Sequence, residues 1–575
     1  MRLIIQFIRK EYKKYLIIAG LLLTVDLSQV VIPIFTKGAL DAISAGSQSL
    51  VIRNGVYILL VAILIIIMRY VYQYLLRSLT LSLDYDIKTA LYNKYLQLSK
   101  NYLSQAEIGD LMARVTNDTS AVRSFMIMGL LGITDIFFLG VTTFISMVSM
   151  NARLALIVIS PLLLLIPLTL NFGTKVHVYF KKVQDLFGEM TVRIREAISG
   201  IRVIKAFVRE DFYLGLFASV NEKYIKENLK LVKLDGFFDP TISLLVNIST
   251  LNLIIFGGIF AVRNTVDIGT VGAFFQYIQT LVWPMLAVGF SVSLFQRARA
   301  SVDRIQEILS LEIEIKDENP VNISTLNGQI TISNLSFTYE QNGSKILDEV
   351  SLNIPQGTLT GITGPPGSGK TTLLNLILRI YDPPEGTVKI DEIDVRKIPL
   401  SVIKNQIAYV PQEPFLFSDS ILNNIKFARP DATDEEVIEA TKIADIYKDI
   451  LSFPEGFETI VGEQGITLSG GERQRVSIAR AIITKRPIMI FDDPLSAVDI
   501  ETERNIIRNL KEVLSKYHIT TLIVSQRVSA LSVLDRVIVM VNGKVIEDGS
   551  PDSLIKKKGY YSHLYRKQLL EGIET

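Results

Sequence analysis

Gly364-Pro365-Pro366-Gly367-Ser368-Gly369-Lys370-Thr371-Thr372 is the stretch on which the reading of this chain turns. An apolar run, Leu359–Thr363, precedes it, and a run with helical apolar spacing, Leu373–Leu378, follows. Strand, glycine-rich turn and helix form the context that the P-loop pattern G-x-x-x-x-G-K-[ST] requires. Gly364, Gly367 and Gly369 let backbone approach a phosphate where side chains would collide. The helix start aims free N–H groups and partial positive charge at the anion. Lys370 is placed to neutralise β/γ-phosphates, and the Thr371 hydroxyl to ligate Mg²⁺. The motif by itself implies binding of a nucleoside triphosphate.

Working outward, 575 residues exceed one hydrophobic core, so several domains are expected. Mean hydropathy is +0.34 although 21% of residues are charged. These agree if apolar residues are concentrated, and long apolar runs do fill roughly the first 300 positions. A net charge of +2 gives no electrostatic case for nucleic acid. The absence of cysteine excludes disulfides, thiolate metal sites and cysteine nucleophiles. No cleavable signal peptide is evident.

About 20 apolar residues span a bilayer. Six stretches qualify: Tyr15–Phe35, Val56–Leu76, Leu130–Met150, Leu154–Leu170, Ile242–Val262 and Val271–Phe290. Arg2, Arg9, Lys10, Lys13 and Lys14 precede the first, which predicts a cytoplasmic N-terminus. Asn151-Ala-Arg153 and Arg263–Asp267 are short and read as external turns. Ser78–Arg123 and Lys175–Lys233 are long, basic and helical in pattern, so the spans are expected to continue as cytoplasmic helices. Their turns, Tyr102–Gly109 and Phe207–Phe212, read as levers against the nucleotide-binding part or as the tips of a solvated stalk.

Ionisable residues inside spans are costly and face protein or water. Asp26, Arg69 and Asp135 are the cases here. Asp26 and Asp135, with Trp283, are candidates for a translocation cavity that attracts cations; a structural pair or an interfacial residue is the competing reading. Phe274, Phe275 and Tyr277 join Trp283 as candidate aromatic lining, with lipid-facing or packing roles as the alternatives. Pro284 is expected to kink the last span. Expected domains are 1–309 (membrane), 310–328 (linker) and 329–575 (nucleotide-binding).

In the second half, Tyr339 is placed to stack on adenine, and Gln412 to complete a Mg²⁺ shell after a strand. Leu468-Ser469-Gly470-Gly471-Glu472 opens a helix that would face phosphate. Pro487–Asp493 is an apolar strand ending in two acids, as a Mg²⁺-holding Asp492 requires. Ser496-Ala-Val-Asp499 and Val524-Ser-Gln526-Arg527 follow.

These motifs, in this order and after six spans, resemble an ATP-binding cassette (ABC) exporter half-transporter. The resemblance covers nearly the whole chain. It implies a six-helix, type I exporter-like membrane domain fused to an α/β P-loop domain that uses ATP and Mg²⁺. By resemblance Tyr339 is the A-loop, Gly364–Thr371 Walker A, Gln412 the Q-loop, Val461–Gly465 the X-loop, Leu468–Glu472 the signature, Ile488–Asp492 Walker B, and Ser496–Asp499 the D-loop. Ile108–Asp118 and Glu196–Lys205 are also family-like.

Two positions depart from the family pattern. By resemblance Asp493 stands where Glu polarises the attacking water, and Gln526 where His holds the γ-phosphate and that water. Asp is one methylene shorter, and a misplacement of about 1 Å costs about 10²-fold in rate. Gln cannot become cationic. Slow hydrolysis is therefore expected at the Lys370 site. The signature keeps Ser469, Gly470 and Gly471 and departs only at Glu472, where Gln is usual. The resemblance then implies a heterodimer in the cytoplasmic (inner) membrane, with the P-loop domain in the cytoplasm. A second, non-identical half-transporter would bring the competent residues and this chain would lend its signature. Export of small amphipathic molecules is the first functional expectation. A lipid flippase is the alternative, and an ATP-gated channel or regulatory subunit stands third. The sequence does not name the substrate.

Overall fold

A computed structural model describes residues 9–339, 343–462 and 468–571. The chain divides into two compact units, 1–97 with 106–312, and 98–105 with 313–575. The short helix Lys100–Gln105, which overlaps the start of the expected Tyr102–Gly109 lever, thus clusters with the second unit.

The first unit is helical. Among the described residues, five helical stretches are long and apolar enough to cross a membrane: Tyr12–Ser44, Gln48–Gln97, Ile108–Ser199, Glu210–Val262 and Ile268–Ser310. The third carries two of the six expected spans and breaks at Asn151 (φ −159°, ψ 105°). There the Asn151 Oδ1 accepts the Leu154 N–H at 2.9 Å, capping the helix that restarts. Asn151 makes this break because its short amide competes with the helical backbone for hydrogen bonds. The remaining helices run far beyond a bilayer's thickness, to 50 residues in Gln48–Gln97.

The core of this unit gathers Leu154, Val158, Leu162, Leu165, Phe274, Tyr277 and Ile278, all fully buried. Phe274 and Tyr277 therefore pack rather than line a cavity. The Tyr277 hydroxyl donates to the Val30 carbonyl at 2.9 Å. Of the expected aromatic lining, only Phe275 and Trp283 are exposed. The Ile268–Ser310 helix runs through Pro284 without a break. Short π-helical turns occur at Arg114–Asp118, Phe125–Gly129, Ile136–Gly140 and Leu253–Gly257.

The second unit is α/β. Its strands are β1 (Ile330–Phe337), β2 (Leu347–Ile354), β3 (Leu359–Thr363), β4 (Val388–Ile390), β5 (Ile393–Asp394), β6 (Ile407–Val410), β7 (Ile488–Asp492), β8 (Thr520–Val524), β9 (Arg536–Val541) and β10 (Lys544–Gly549). They form two sheets, ordered β2-β1-β4-β5 and β10-β9-β3-β8-β7-β6. In the larger sheet β9, β3, β8, β7 and β6 are parallel, and β10 is antiparallel. Strands β3, β7 and β8 are buried at every position, which is why they read as unbroken apolar runs.

Residues 313–328 are tied down rather than loose. Buried Arg379 donates to Asp317, Asp382 and the carbonyls of Lys316 and Ile398. Asp391 accepts the N–H groups of Gly328 and Gln329.

Candidate functional site

The parallel sheet decides where the site lies. In register, Ile362 of β3 pairs with Val524 of β8, and Val524 pairs with Asp492 of β7. The loops leaving these strands carry Gly364–Thr372, Ser525–Arg527 and Asp493. Gln412 follows β6 two residues past Val410, which pairs with Phe491. The residues expected to meet phosphate, Mg²⁺ and the attacking water thus share the carboxyl edge of one sheet, where open α/β folds bind ligands.

Gly364 (φ +145°), Gly367 (φ +77°) and Gly369 (φ +92°) occupy backbone conformations that L side chains avoid. A Cβ on Gly364 would strike the Met540 carbonyl oxygen. The Lys370–Ile377 helix starts directly after Gly369. The Lys370 ammonium folds onto the loop, donating to the carbonyls of Gly364 and Pro365 at 2.9 Å and to the Ser368 hydroxyl at 3.2 Å. Burial pulls its pKa down, against Asp492 and Asp493, which pull it up. The loop is a cradle whose lysine holds interactions that a phosphate can replace.

The Thr371 hydroxyl donates to the Asp492 Oδ1 at 3.2 Å. Burial raises the pKa of Asp492; the Thr371 bond, Lys370 and Lys100 oppose it. Lys100 comes from the short helix that clusters with this unit. Two hard oxygen donors converge here, one hydroxyl and one carboxylate, and this donor set fits Mg²⁺ completed by phosphate and water. The Tyr339 hydroxyl donates to Thr372 Oγ1 at 3.1 Å, and its ring meets Tyr381 edge-on with centroids 5.1 Å apart. Gln412 and Gln526 are exposed.

Asp493 sits at φ +49°, with its N–H donating to the Val524 carbonyl at 3.1 Å. Burial raises its pKa, the Asp492 charge adds to this, and Arg527 and Lys370 oppose. Arg527 is a residue that the sequence reading left without a role. Its guanidinium donates to Glu503 Oε2 at 2.9 Å and to the carbonyls of Val498 (2.7 Å) and Ser496 (3.2 Å). It therefore joins the loop after β8 to the Ser496–Asp499 loop. Gln568, on the last helix (Tyr560–Glu571), grips the same loop. Its Nε2 donates to the Gln526 carbonyl and its Oε1 accepts the Val528 N–H, both at 2.8 Å.

Ser469 caps the Gly470–Ile482 helix in a reciprocal box with Glu472. Ser469 Oγ accepts the Glu472 N–H at 3.3 Å, and Glu472 Oε2 accepts the Ser469 N–H at 2.7 Å. A Cβ on Gly471 would lie 3.0 Å from the Ala497 carbonyl oxygen. Gln474 then donates to Ser496 Oγ at 3.0 Å and accepts the Ala497 N–H at 3.1 Å. Asp499 caps the next helix through the N–H groups of Glu501 and Thr502. Among the described residues no hydrogen bond or ion pair joins Ser469–Glu472 to Gly364–Thr372. Of the X-loop expectation, residues 463–465 lie outside the described residues.

In the first unit, the Trp283 Nε1–H donates to Asp135 Oδ2 at 2.6 Å. Asp26 is buried and has Asp135 and Arg69 as charged neighbours.

Comparison with known proteins gives two family matches: "ABC transporter transmembrane region" over residues 15–285 and "ABC transporter" over 347–496. The chain is 35% identical over 569 residues to the probable multidrug resistance ABC transporter ATP-binding/permease protein YheI of Bacillus subtilis (strain 168), covering 98% of this chain and 97% of that protein. This chain belongs to the ABC transporter family. Within that family it is an exporter half-transporter, with a helical membrane region fused to an ATPase domain. The ABC chain MdlA of Escherichia coli (strain K12), named a multidrug resistance-like ATP-binding protein, is 33% identical over 98% of this chain and 96% of its own length. A solved bacterial Atm1-family ABC exporter with ATP bound matches the fold at a TM-score of 0.79, over 97% of this chain and 98% of that one, with 23% identity. The ABC domain binds ATP, and the half-transporter is a multi-pass membrane protein.

Proposed function

We propose that this half-transporter exports small amphipathic molecules across the cytoplasmic membrane as one subunit of a heterodimer, and that its own Lys370 site binds ATP firmly but hydrolyses it slowly. The observation that carries the proposal is the contrast within one sheet edge. The phosphate cradle is complete, with its glycines in the required conformations, while Asp493 and Gln526 stand at the two positions that act on the attacking water. The names of the relatives, multidrug resistance proteins, support the substrate class.

In this reading the P-loop amides and Lys370 hold the triphosphate, and Tyr339 stacks on the base. Thr371, Asp492 and Gln412 hold Mg²⁺, which when bound withdraws charge from the β- and γ-phosphates. Asp493, shorter than Glu, holds its carboxylate back from the water. Gln526 offers the γ-phosphate one neutral N–H. Ser469, Gly470 and Gly471 act on a partner's nucleotide. ATP favours a closed pair because it binds that state better, and the turns at Tyr102–Gly109 and Phe207–Phe212 carry closure to the membrane helices. N-terminus and ATPase domain are cytoplasmic.

Inverted vesicles test this directly. Vesicles holding the chain with its partner are expected to accumulate a fluorescent amphipathic drug only with ATP, and to keep most of that transport when Asp493→Asn is introduced. ATP-independent accumulation, or complete loss on Asp493→Asn, contradicts the proposal.

A further inference from the structure

Tyr339 lies two residues past the end of β1, where the ladder no longer orients the side chain, and it is half-buried. Side-chain contacts orient it instead. Its hydroxyl donates to Thr372 Oγ1 at 3.1 Å, in the first turn of the Lys370–Ile377 helix. Phe337 meets its ring with centroids 5.1 Å apart and planes at 89°, and Tyr381 does so at 5.1 Å and 75°. Phe337 and Tyr381 also meet each other, at 6.3 Å. The two steep pairs have the edge-type geometry that ring quadrupoles favour, so Phe337 and Tyr381 resist rotation of the Tyr339 ring.

Tyr381 sits in a turn that is itself fastened on both sides. Arg379, buried and at φ +50°, reaches past Tyr381 to donate to Asp382 Oδ1 at 2.8 Å. Its other nitrogens donate to Asp317 Oδ1 at 3.2 Å and to the carbonyls of Lys316 (2.8 Å) and Ile398 (3.1 Å). A planar guanidinium spread over oxygens from separate stretches of chain leaves the turn little freedom. Burial raises the Tyr381 pKa, and Tyr339 and Glu314 raise it further, so the hydroxyl stays neutral at physiological pH. The contact with Tyr339 is made by the ring. A ring already in place binds a ligand more tightly than one that must be ordered on binding.

We propose that Tyr381 is a positioning residue for nucleotide binding: braced by Arg379, it fixes the Tyr339 ring in the pose that stacks on the base. This deepens the ATP reading of the same site and rests on the stacking role given to Tyr339 there. Because Tyr381 acts through Tyr339, its influence is confined to ligands that carry a base.

The purified full chain in lipid nanodiscs is titrated calorimetrically with MgATP and, separately, with magnesium tripolyphosphate, which has no base. Tyr381→Leu is expected to weaken ATP binding at least fivefold and tripolyphosphate binding less than twofold. Tyr381→Phe keeps the ring and should match the native chain for both. Tyr339→Ala should weaken ATP at least as much as Tyr381→Leu, and adding Tyr381→Leu to it should cost nothing further. If Tyr381→Leu binds neither ligand, Tyr381→Met, whose side chain adapts more readily to the space, decides by the same two affinities. The positioning role is overturned by ATP affinity within twofold of native in Tyr381→Leu while Tyr339→Ala is weakened. A parallel loss of both ligands in the Leu and Met variants, or an equal loss in Tyr381→Phe, overturns it too. ATP affinity unchanged in Tyr339→Ala removes the stacking reading itself, and the positioning role with it.

Discussion

Replacing Arg527 with Leu isolates the contact that joins the loop after β8 to the Ser496–Asp499 loop. The guanidinium makes three bonds, to Glu503 at 2.9 Å, Val498 at 2.7 Å and Ser496 at 3.2 Å. Glu503 is fully buried, and its second oxygen has no hydrogen-bond partner. Burial raises the Glu503 pKa, and the bond to Arg527 is the main influence lowering it. Losing one member of a buried pair costs about 3–5 kcal/mol, because the other charge is left uncompensated. The Arg527 side chain is 36% exposed, so solvent screens part of this and about 2–3 kcal/mol is expected. At about 1.4 kcal/mol per tenfold, amides of the Ser496–Glu503 segment should exchange with deuterium roughly 30- to 150-fold faster. The double variant Arg527→Leu with Glu503→Gln removes the stranded charge and should recover most of that protection, a coupling of about 2 kcal/mol. Mass-resolved hydrogen exchange on the full chain reads both. A change under threefold in Arg527→Leu, or simple additivity in the double variant, refutes the reasoning.

Three further outcomes are expected. Gln568→Leu removes two neutral hydrogen bonds, each worth about 0.5–1.5 kcal/mol, and should speed exchange at Gln526–Val528 about tenfold while leaving ATP affinity unchanged, as read by hydrogen exchange and nucleotide titration. Asp492 and Asp493 have folded pKa values above their unfolded ones. The folded state therefore binds protons more tightly, and stability declines as pH rises through those folded values. Asp493→Asn should accordingly raise the melting temperature of the nucleotide-free chain at pH 7 and leave it unchanged near pH 3, by thermal unfolding across pH. Asp493→Glu together with Gln526→His should raise turnover at the Lys370 site at least tenfold, measured as phosphate release.

Motifs with local physics were legible. The P-loop announces itself because its glycines and lysine are consecutive, and the spans because apolar length is itself the signal. Asn151 is readable as a turn, since Asn151-Ala-Arg153 is a short break between two long apolar runs. What the sequence left unread lies in pairs distant along the chain. Arg527 meets Glu503 24 residues away, and Gln568 meets Gln526 42 residues away. Neither separation follows a helical or strand period, so no pattern connects them. Phe274 and Tyr277 stay open between lining and packing for the same reason. Aromatic residues in an apolar span look alike whether they face a cavity or a neighbouring helix, and only their full burial in the fold decides for packing. Glu472 looked like a mild loss, yet the fold uses it as half of a capping box.

The most direct test is the steady-state ATPase rate of the purified chain by itself, compared with the same chain paired with a half-transporter that carries Glu and His at the corresponding positions. Tight ATP binding but barely measurable phosphate release is expected from the chain alone, and brisk turnover in the pair that is lost on Ser469→Arg in this chain. Rapid hydrolysis by the isolated chain, acting as a homodimer, contradicts it.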